Sequence, residues 1–204
     1  TKKEIPAAQV DLIQLLTEKK ETNTANTYGK TIFMLDEEID YRIKASKKTT
    51  GNFVYLAVSK DFNTYDVVSP ANLYTTIELR EVQKNEEIRI DNIYYDLGKY
   101  YIRKDAEPEL NKLVKILRDN PGMEIELSSH TDCRGSDAYN ERLSQRRANE
   151  AKEYIISQGI AATRIVTAQG FGEQQLTNNC SSGTKCSDEK HQKNRRTTFL
   201  VLEE

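Results

Sequence analysis

The sequence lacks both a long hydrophobic run and a large excess of charge of one sign. No stretch approaches the roughly 18 apolar residues of a membrane-spanning helix, and no hydrophobic signal region opens the sequence. Its 30 basic and 32 acidic residues leave a net charge of −2. So weak a field would not attract nucleic acid or anionic lipid, so we predict no nucleic-acid partner and no membrane span in this segment. A length of 204 residues allows one large or two small domains.

Cysteine and histidine are scarce, with three and two residues, and the first 83 residues contain neither. We therefore predict no catalytic constellation in that half. Cys180 and Cys186 flank a short flexible loop in which a disulfide could close, which would suit an oxidising periplasm. Zinc is the alternative, with His191 as a third ligand, but it is weaker because no paired Cys-x-x-Cys is present. No metal or cofactor is predicted.

A strand, a polar loop and a helix follow one another between residues 123 and 159. Apolar residues alternate from Met123 to Leu127, which predicts a half-buried strand that ends near His130. Ser136 or Asp137 is expected to cap a helix that runs to about Ser157, with a glycine just past its end.

Arg147 interrupts the apolar stripe of that predicted helix. It lies four residues after Leu143 and four before Ala151, where a charge is costly unless it is paired. Asp132 lies in the loop before the helix, and Asn140 lies two turns before Arg147 on the same face. Spacing alone favours an internal Asp132–Arg147 salt bridge in a structural or protein-interaction module. The alternative is a site for a ligand that carries both an ammonium and a carboxylate group.

Residues 92–203 resemble the OmpA-like C-terminal domain, the peptidoglycan-binding module of outer-membrane proteins, Pal-type lipoproteins and flagellar stator proteins. The matching motifs occur in the family's order and spacing. They are Ile93-Tyr94-Tyr95-Asp96-Leu97-Gly98-Lys99, His130-Thr131-Asp132, Arg134-Gly135-Ser136, Tyr139-Asn140, Leu143-Ser144, Arg147-Ala148, Gly170-Phe171-Gly172-Glu173 and Asn194-Arg195-Arg196.

The resemblance implies non-catalytic binding of diaminopimelate in the peptidoglycan stem peptide. Asp132 would take the ammonium, Arg147 the carboxylate, and Asn140 would add an amide contact. A planar guanidinium suits the second role because it can grip a carboxylate with two parallel hydrogen bonds.

Further contacts are implied at the rim of the site. Asp96, Leu97 and Gly98 would lend backbone groups, and Arg134 would contact the ligand through its backbone. One residue of the Arg195-Arg196 pair would line the rim and the other would be structural; the motif leaves open which is which, and Arg195 is taken as the candidate. Catalysis by Cys133 with His130 as base is disfavoured, since both are expected to be packing residues of the loop.

The predicted fold class is α+β. The C-terminal domain, residues 88–204, is expected to have the order β-α-β-α-β-β, with a mixed sheet and helices on one face. Its first helix is expected to be capped by Asp105 and ended by Asn120-Pro121, and its last strands to cover residues 164–168 and 197–202.

Residues 1–83 are predicted to form a small all-β sandwich, joined by a linker at residues 84–87. Strands are predicted near residues 9–16, 31–35, 40–45, 51–59 and 74–79, with a polar loop at 22–27. This half resembles the carboxypeptidase-regulatory-like sandwich, whose first strand would lie before Thr1. We therefore expect a fragment of a longer exported protein.

The whole arrangement resembles a group of Bacteroidetes cell-envelope proteins, the PorE-like lipoproteins that tether the type IX secretion machinery to the wall. This resemblance implies a periplasmic location at the outer membrane, as part of a lipoprotein. The implied partners are peptidoglycan and, through the N-terminal half, other envelope or secretion-system proteins.

Overall fold

The computed structural model describes residues 4–48, 53–84, 87–90, 93, 95 and 99–203. The chain divides into two compact units, residues 1–83 and residues 84–204. Among the described residues, no helix combines the length and apolarity needed to cross a bilayer.

The N-terminal unit contains one antiparallel sheet of five strands in the order β2-β1-β3-β4-β5. The strands are β1 (Gln9–Gln14), β2 (Lys20–Thr24), β3 (Asp40–Lys47), β4 (Phe53–Asn63) and β5 (Arg80–Gln83). One face is buried because apolar residues alternate along β1 and the first half of β4, as at Val10, Leu12, Val54 and Leu56. The pairing of β3 with β4 shifts register after Ala45, which lies opposite Val58. This bulge interrupts the alternation of side chains, so consecutive residues of β4 can both be buried.

The predicted sandwich would need a second sheet, and the described part of the unit contains this one sheet. Two predicted strands, at residues 31–35 and 74–79, are irregular chain. Several of their large apolar side chains are exposed, namely Ile32 at 83%, Met34 at 87% and Tyr74 at 92%, and the others are at most half-buried, so neither segment has a fully buried face. Conversely, the predicted loop at residues 22–27 overlaps edge strand β2 (Lys20–Thr24), which forms through backbone pairing with β1 and tolerates polar side chains there.

The C-terminal unit is α+β, as predicted. It contains β6 (Glu87–Ile90), α1 (Glu107–Asp119), β7 (Glu124–Ser129), α2 (Asp137–Ser157), β8 (Ile165–Gly170), α3 (Asp188–Asn194) and β9 (Thr197–Glu203). The sheet order is β6-β9-β7-β8, with β7 and β8 parallel and β9 antiparallel to both of its neighbours, so the sheet is mixed. The short helix α3 was not predicted.

The two long helices begin differently from each other. Ser136 caps α2, since its hydroxyl accepts a hydrogen bond from the Tyr139 N–H at 3.3 Å, and α2 ends at Ser157 as predicted. The predicted cap of α1 by Asp105 is wrong. Ala106 occupies the cap position without a side-chain bond, and the Asp105 carboxylate instead pairs with Arg103 at 2.7 Å.

Candidate functional site

The loop after β7 is held by backbone bonds to two other segments. His130 N–H donates to the Arg196 carbonyl at 2.9 Å, and Thr131 N–H donates to the Gly172 carbonyl at 2.8 Å. The His130 ring is buried and stacks on Phe171, with 5.6 Å between ring centroids. Burial, helped by the charge of Arg196, lowers the pKa of His130 to about 4, so the ring is neutral at pH 7. His130 therefore packs the loop, as predicted.

β8 approaches α2 closely enough that only glycine fits at its end. A Cβ placed on Gly170 would lie 2.1 Å from the Gln145 backbone nitrogen. The Gly172 N–H then donates to the Ser144 hydroxyl at 2.8 Å. The Gly-Phe-Gly segment therefore holds the end of β8 in close backbone contact with α2, next to the loop that carries Asp132.

A cavity of about 70 Å³ lies between this loop and the first turns of α2. That volume holds several water molecules or a small charged group. The cavity brings together five residues predicted for the site, namely Asp132, Arg134, Asn140, Arg147 and Arg195. The predicted residues Asp96, Leu97 and Gly98 lie outside the described residues.

Arg147 is buried to 1% exposure beside the cavity, and its guanidinium is incompletely partnered. Its Nε donates to the Lys99 carbonyl at 3.1 Å, and its Cζ lies 4.5 Å from the centroid of the Tyr95 ring. Its Nη1 is buried without a hydrogen-bond partner among the described residues. Burial lowers the pKa of Arg147 to about 10, so the side chain remains charged at neutral pH. A carboxylate in the cavity would supply the missing acceptor.

Asp132 is paired with two other arginines. Its Oδ2 lies 2.8 Å from Arg134 Nη2 and 2.5 Å from Arg195 Nη1, and its Oδ1 accepts the Arg134 backbone N–H at 3.0 Å. Burial opposes ionisation, but the hydrogen bonds from Arg134 and Arg195 outweigh it and hold the pKa of Asp132 below its ordinary value. Spacing alone favoured an internal Asp132–Arg147 salt bridge. That prediction is wrong, because the carboxylate of Asp132 pairs with Arg134 and Arg195 instead.

Asn140 and Arg134 hold the cavity wall. Asn140 Nδ2 donates to the Asp132 carbonyl at 3.3 Å and to the Glu173 carboxylate. Arg134 uses more than the predicted backbone contact, since its guanidinium bridges Asp132 and Asp188, the latter at 3.2 Å. Because Asp188 opens α3, this pair ties the loop to an element that the sequence analysis missed.

The two arginines before β9 have different roles. Arg195 lines the cavity, whereas Arg196 points its Nη1 to the Gln175 carbonyl at 3.0 Å. Three further lining residues were not predicted, namely Thr131, Tyr139 and Leu143. Helical spacing could have found the last two, since they lie eight and four residues before Arg147 on the same face.

The cysteines separate into a bonded pair and a free thiol. Cys180 and Cys186 form a disulfide with an S–S distance of 2.04 Å, as predicted, so the zinc alternative is wrong. The described residues also contain no cluster of three His, Cys, Asp or Glu side chains suited to a metal. Cys133 is free and buried, and burial together with the carboxylates of Asp132 and Glu173 raises its pKa. A raised pKa disfavours the thiolate and therefore nucleophilic catalysis.

The charge of the cavity wall favours an anion. Three of the lining residues are arginines, and Asp132 is the one acidic residue among those that line the cavity. The wall can therefore accept a carboxylate at Arg147, while Asp132 could exchange an arginine for another cation.

Comparison with known proteins identifies this unit. Residues 94–190 match the model of the OmpA family. The peptidoglycan-associated lipoprotein of Brucella melitensis biotype 1 is 33% identical over 94 residues, which cover 46% of this chain and 55% of that protein. The C-terminal unit contains an OmpA-like domain. It is a non-catalytic module, in agreement with the sequence analysis.

Further matches come from proteins of other kinds. The photosystem I P700 chlorophyll a apoprotein A2 of Gloeobacter violaceus is 35% identical over 115 residues, covering 56% of this chain but 13% of that protein. The cell wall anchor of the T6SS from Pseudomonas aeruginosa is 25% identical, covering 58% of this chain and 80% of that one, with a TM-score of 0.46. The chain spans between 13% and 55% of the length of the curated relatives it matches.

Proposed function

We propose that the OmpA-like domain binds the stem peptide of peptidoglycan without converting it, and so anchors an envelope assembly to the cell wall. One observation carries the proposal: the buried Arg147, with an unpartnered Nη1, lies beside a cavity that also contains Asp132. The similarity to a peptidoglycan-associated lipoprotein supports the same class of ligand.

The carboxylate of the ligand would bind at Arg147. A buried donor without a partner costs about 1–3 kcal/mol, and a ligand that satisfies it recovers that free energy. The protein has already met the cost of burying the charge, so the site is organised before the ligand arrives. Diaminopimelate fits because it presents a carboxylate and an ammonium group on one residue.

The ammonium of the ligand would bind at Asp132 only by exchange with an arginine. Arg134 is the residue more readily displaced, because its side chain is 41% exposed whereas that of Arg195 is 13% exposed. Arg134 also has a second carboxylate, Asp188, on which it can remain. Binding would therefore move Arg134 away from Asp132 and leave Arg195 in the wall.

The role in the cell follows from these proposals and from the resemblance of the whole chain. We place the protein in the periplasm at the outer membrane, as part of a longer lipoprotein. The assembly that it anchors would be the type IX secretion machinery, reached through the N-terminal unit. Co-purification of the longer protein with that machinery, and its loss when residues 1–83 are deleted, would test this assignment.

Calorimetric titration with a stem tripeptide that ends in diaminopimelate tests the binding function directly. We expect saturable binding that Arg147→Lys weakens strongly, since lysine keeps the charge but loses the planar fork. Arg142→Ala is the matched control, because Arg142 is an exposed arginine of the same helix that lines no part of the cavity. Absence of binding by the native protein would refute the proposal and leave a structural or protein-interaction module.

A further inference from the structure

A second pocket adjoins the cavity and shares Arg134 with it. It has a volume of about 470 Å³ and lies between the Cys133–Arg134 loop and the loop closed by the Cys180–Cys186 disulfide. We propose that this pocket is a second binding subsite, which takes another carboxylate of the same peptide. The inference rests on the proposed function, because the ligand is the one whose diaminopimelate would occupy the first cavity.

The sizes of the two spaces favour such a division. The first cavity, at about 70 Å³, accommodates a charged group but not a peptide. The second pocket falls in the range of roughly 300–1,000 Å³ that is typical of small-molecule sites. A peptide held at Arg147 must continue beyond the first cavity, and the wall shared at Arg134 offers the second pocket as its path.

The polar groups of the second pocket are suited to an anionic oxygen. Lys185 and Arg134 contribute positive charge, and the one acidic residue of the lining, Asp188, is already paired with Arg134 at 3.2 Å. His191 is 6% exposed, and its Nδ1 is buried without a hydrogen-bond partner among the described residues. In the tautomer that carries a proton on Nδ1, this atom would donate to a carboxylate oxygen.

The disulfide gives the wall of this pocket a fixed shape. Cys180 is 1% exposed, and its N–H donates to Asn178 Oδ1 at 3.1 Å. Within the closed loop, Thr184 N–H donates to the Ser181 carbonyl at 3.0 Å. Opening the bond would free the segment that carries Lys185, so the subsite should weaken when the disulfide is removed.

Two ligands separate the subsite from the first cavity. Free diaminopimelate reaches only the first cavity, whereas the tripeptide alanyl-γ-glutamyl-diaminopimelate carries an additional carboxylate. We expect Lys185→Ala, and separately the double variant Cys180→Ser with Cys186→Ser, to bind the tripeptide about three- to tenfold more weakly than native protein. Both variants should bind diaminopimelate with native affinity. Lys193→Ala, an exposed lysine of α3 outside the pocket lining, is the matched control and should leave both affinities unchanged.

Each result has a distinct meaning. Native affinity of Lys185→Ala and of the double cysteine variant for the tripeptide would overturn the subsite while leaving the proposed function intact. Equal weakening for both ligands, in variants whose circular dichroism shows a native fold, would also overturn it, since the loop would then act on the first cavity. If the native protein bound neither ligand, the proposed function itself would fail.

Discussion

Arg147→Met should abolish ligand binding while leaving the stability of the fold almost unchanged, even though the residue is 1% exposed. Methionine replaces the side chain with a flexible apolar one that matches the aliphatic part of arginine, so the helix face stays filled where it packs against the core. A buried residue whose replacement costs little stability is one that the fold retains for another purpose.

The magnitude follows from the contacts of Arg147. The fall in its pKa to about 10 corresponds to about 3 kcal/mol against the charged form, which replacement by methionine would relieve. Replacement also removes the charge-assisted hydrogen bond to the Lys99 carbonyl, worth about 1.5–3 kcal/mol. The opposing contributions cancel to within about 1 kcal/mol.

Urea unfolding followed by circular dichroism would measure this balance. Leu127→Ala is the comparison, because Leu127 is fully buried in β7 and its truncation should cost about 2–5 kcal/mol. A loss of stability for Arg147→Met as large as that for Leu127→Ala would refute the reasoning, since Arg147 would then be a structural residue.

Three further predictions concern the surroundings of the cavity. Asp132→Asn should lower the free energy of unfolding by about 2 kcal/mol at pH 7, because Arg195 loses its carboxylate. Because the pKa of Asp132 is depressed in the folded protein, this stabilisation is present at pH values above the ordinary pKa of 3.8 and is lost as the pH falls below it. If the variant and the native protein were equally stable in urea titrations at pH 7, the ion pairing would be contradicted. The depressed pKa of His130 means that the unfolded chain takes up the proton first as the pH falls from 6.5 towards about 4. Lowering the pH from 7 to 5 should therefore reduce the free energy of unfolding by about 2 kcal/mol through this residue. Urea unfolding at the two pH values should show this difference in the native protein and not in His130→Phe. Gly170→Ala should destabilise the unit by about 1–3 kcal/mol, since the new methyl group would lie 2.1 Å from the Gln145 nitrogen; an unchanged melting temperature would show that α2 moves aside freely.

The C-terminal unit was predictable because its local signals agree with its packing. Alternating apolar residues from Met123 to Leu127 predicted a strand, and the capping residue Ser136 predicted the start of the helix. Both signals are local in the sequence, and in both cases the packing agrees with them. The helix α3 was missed because its seven residues include no apolar side chain and it begins directly after the loop that carries the disulfide. Asp105 was assigned as a cap from its residue type, but Arg103 competes for its carboxylate.

The sequence predicted which residues form the candidate site, but it did not predict which of them form ion pairs with each other. Sequence spacing placed Asp132 and Arg147 together, and both lie on the same cavity. It could not show that Arg195, which is 63 positions from Asp132 in the chain, lies closer to that carboxylate than Arg147 does. An ion pair between residues so far apart in the sequence depends on the order of the strands in the sheet. Local periodicity of the sequence contains no information about that order.

The N-terminal unit shows the opposite failure. The runs at residues 31–35 and 74–79 have the composition of strands, yet Ile32, Met34 and Tyr74 are exposed and none of the apolar side chains in these runs is fully buried. A polar segment, Lys20–Thr24, pairs instead, because an edge strand needs only backbone partners on one side. Strand propensity therefore misassigned segments whose state depends on long-range pairing.

The place of β9 in the sheet controls when the binding cavity can exist. β9 lies between β6 and β7, although it follows β6, β7 and β8 along the chain, and Arg195 lies two residues before its first residue, Thr197. A polypeptide that emerges gradually from a ribosome or a translocation channel would therefore carry Asp132 and Arg147 long before it had a complete cavity wall. Recognition of the ligand would begin only when Arg195 is in place and β9 has joined the sheet, so a chain delivered only as far as α2 could not bind the wall.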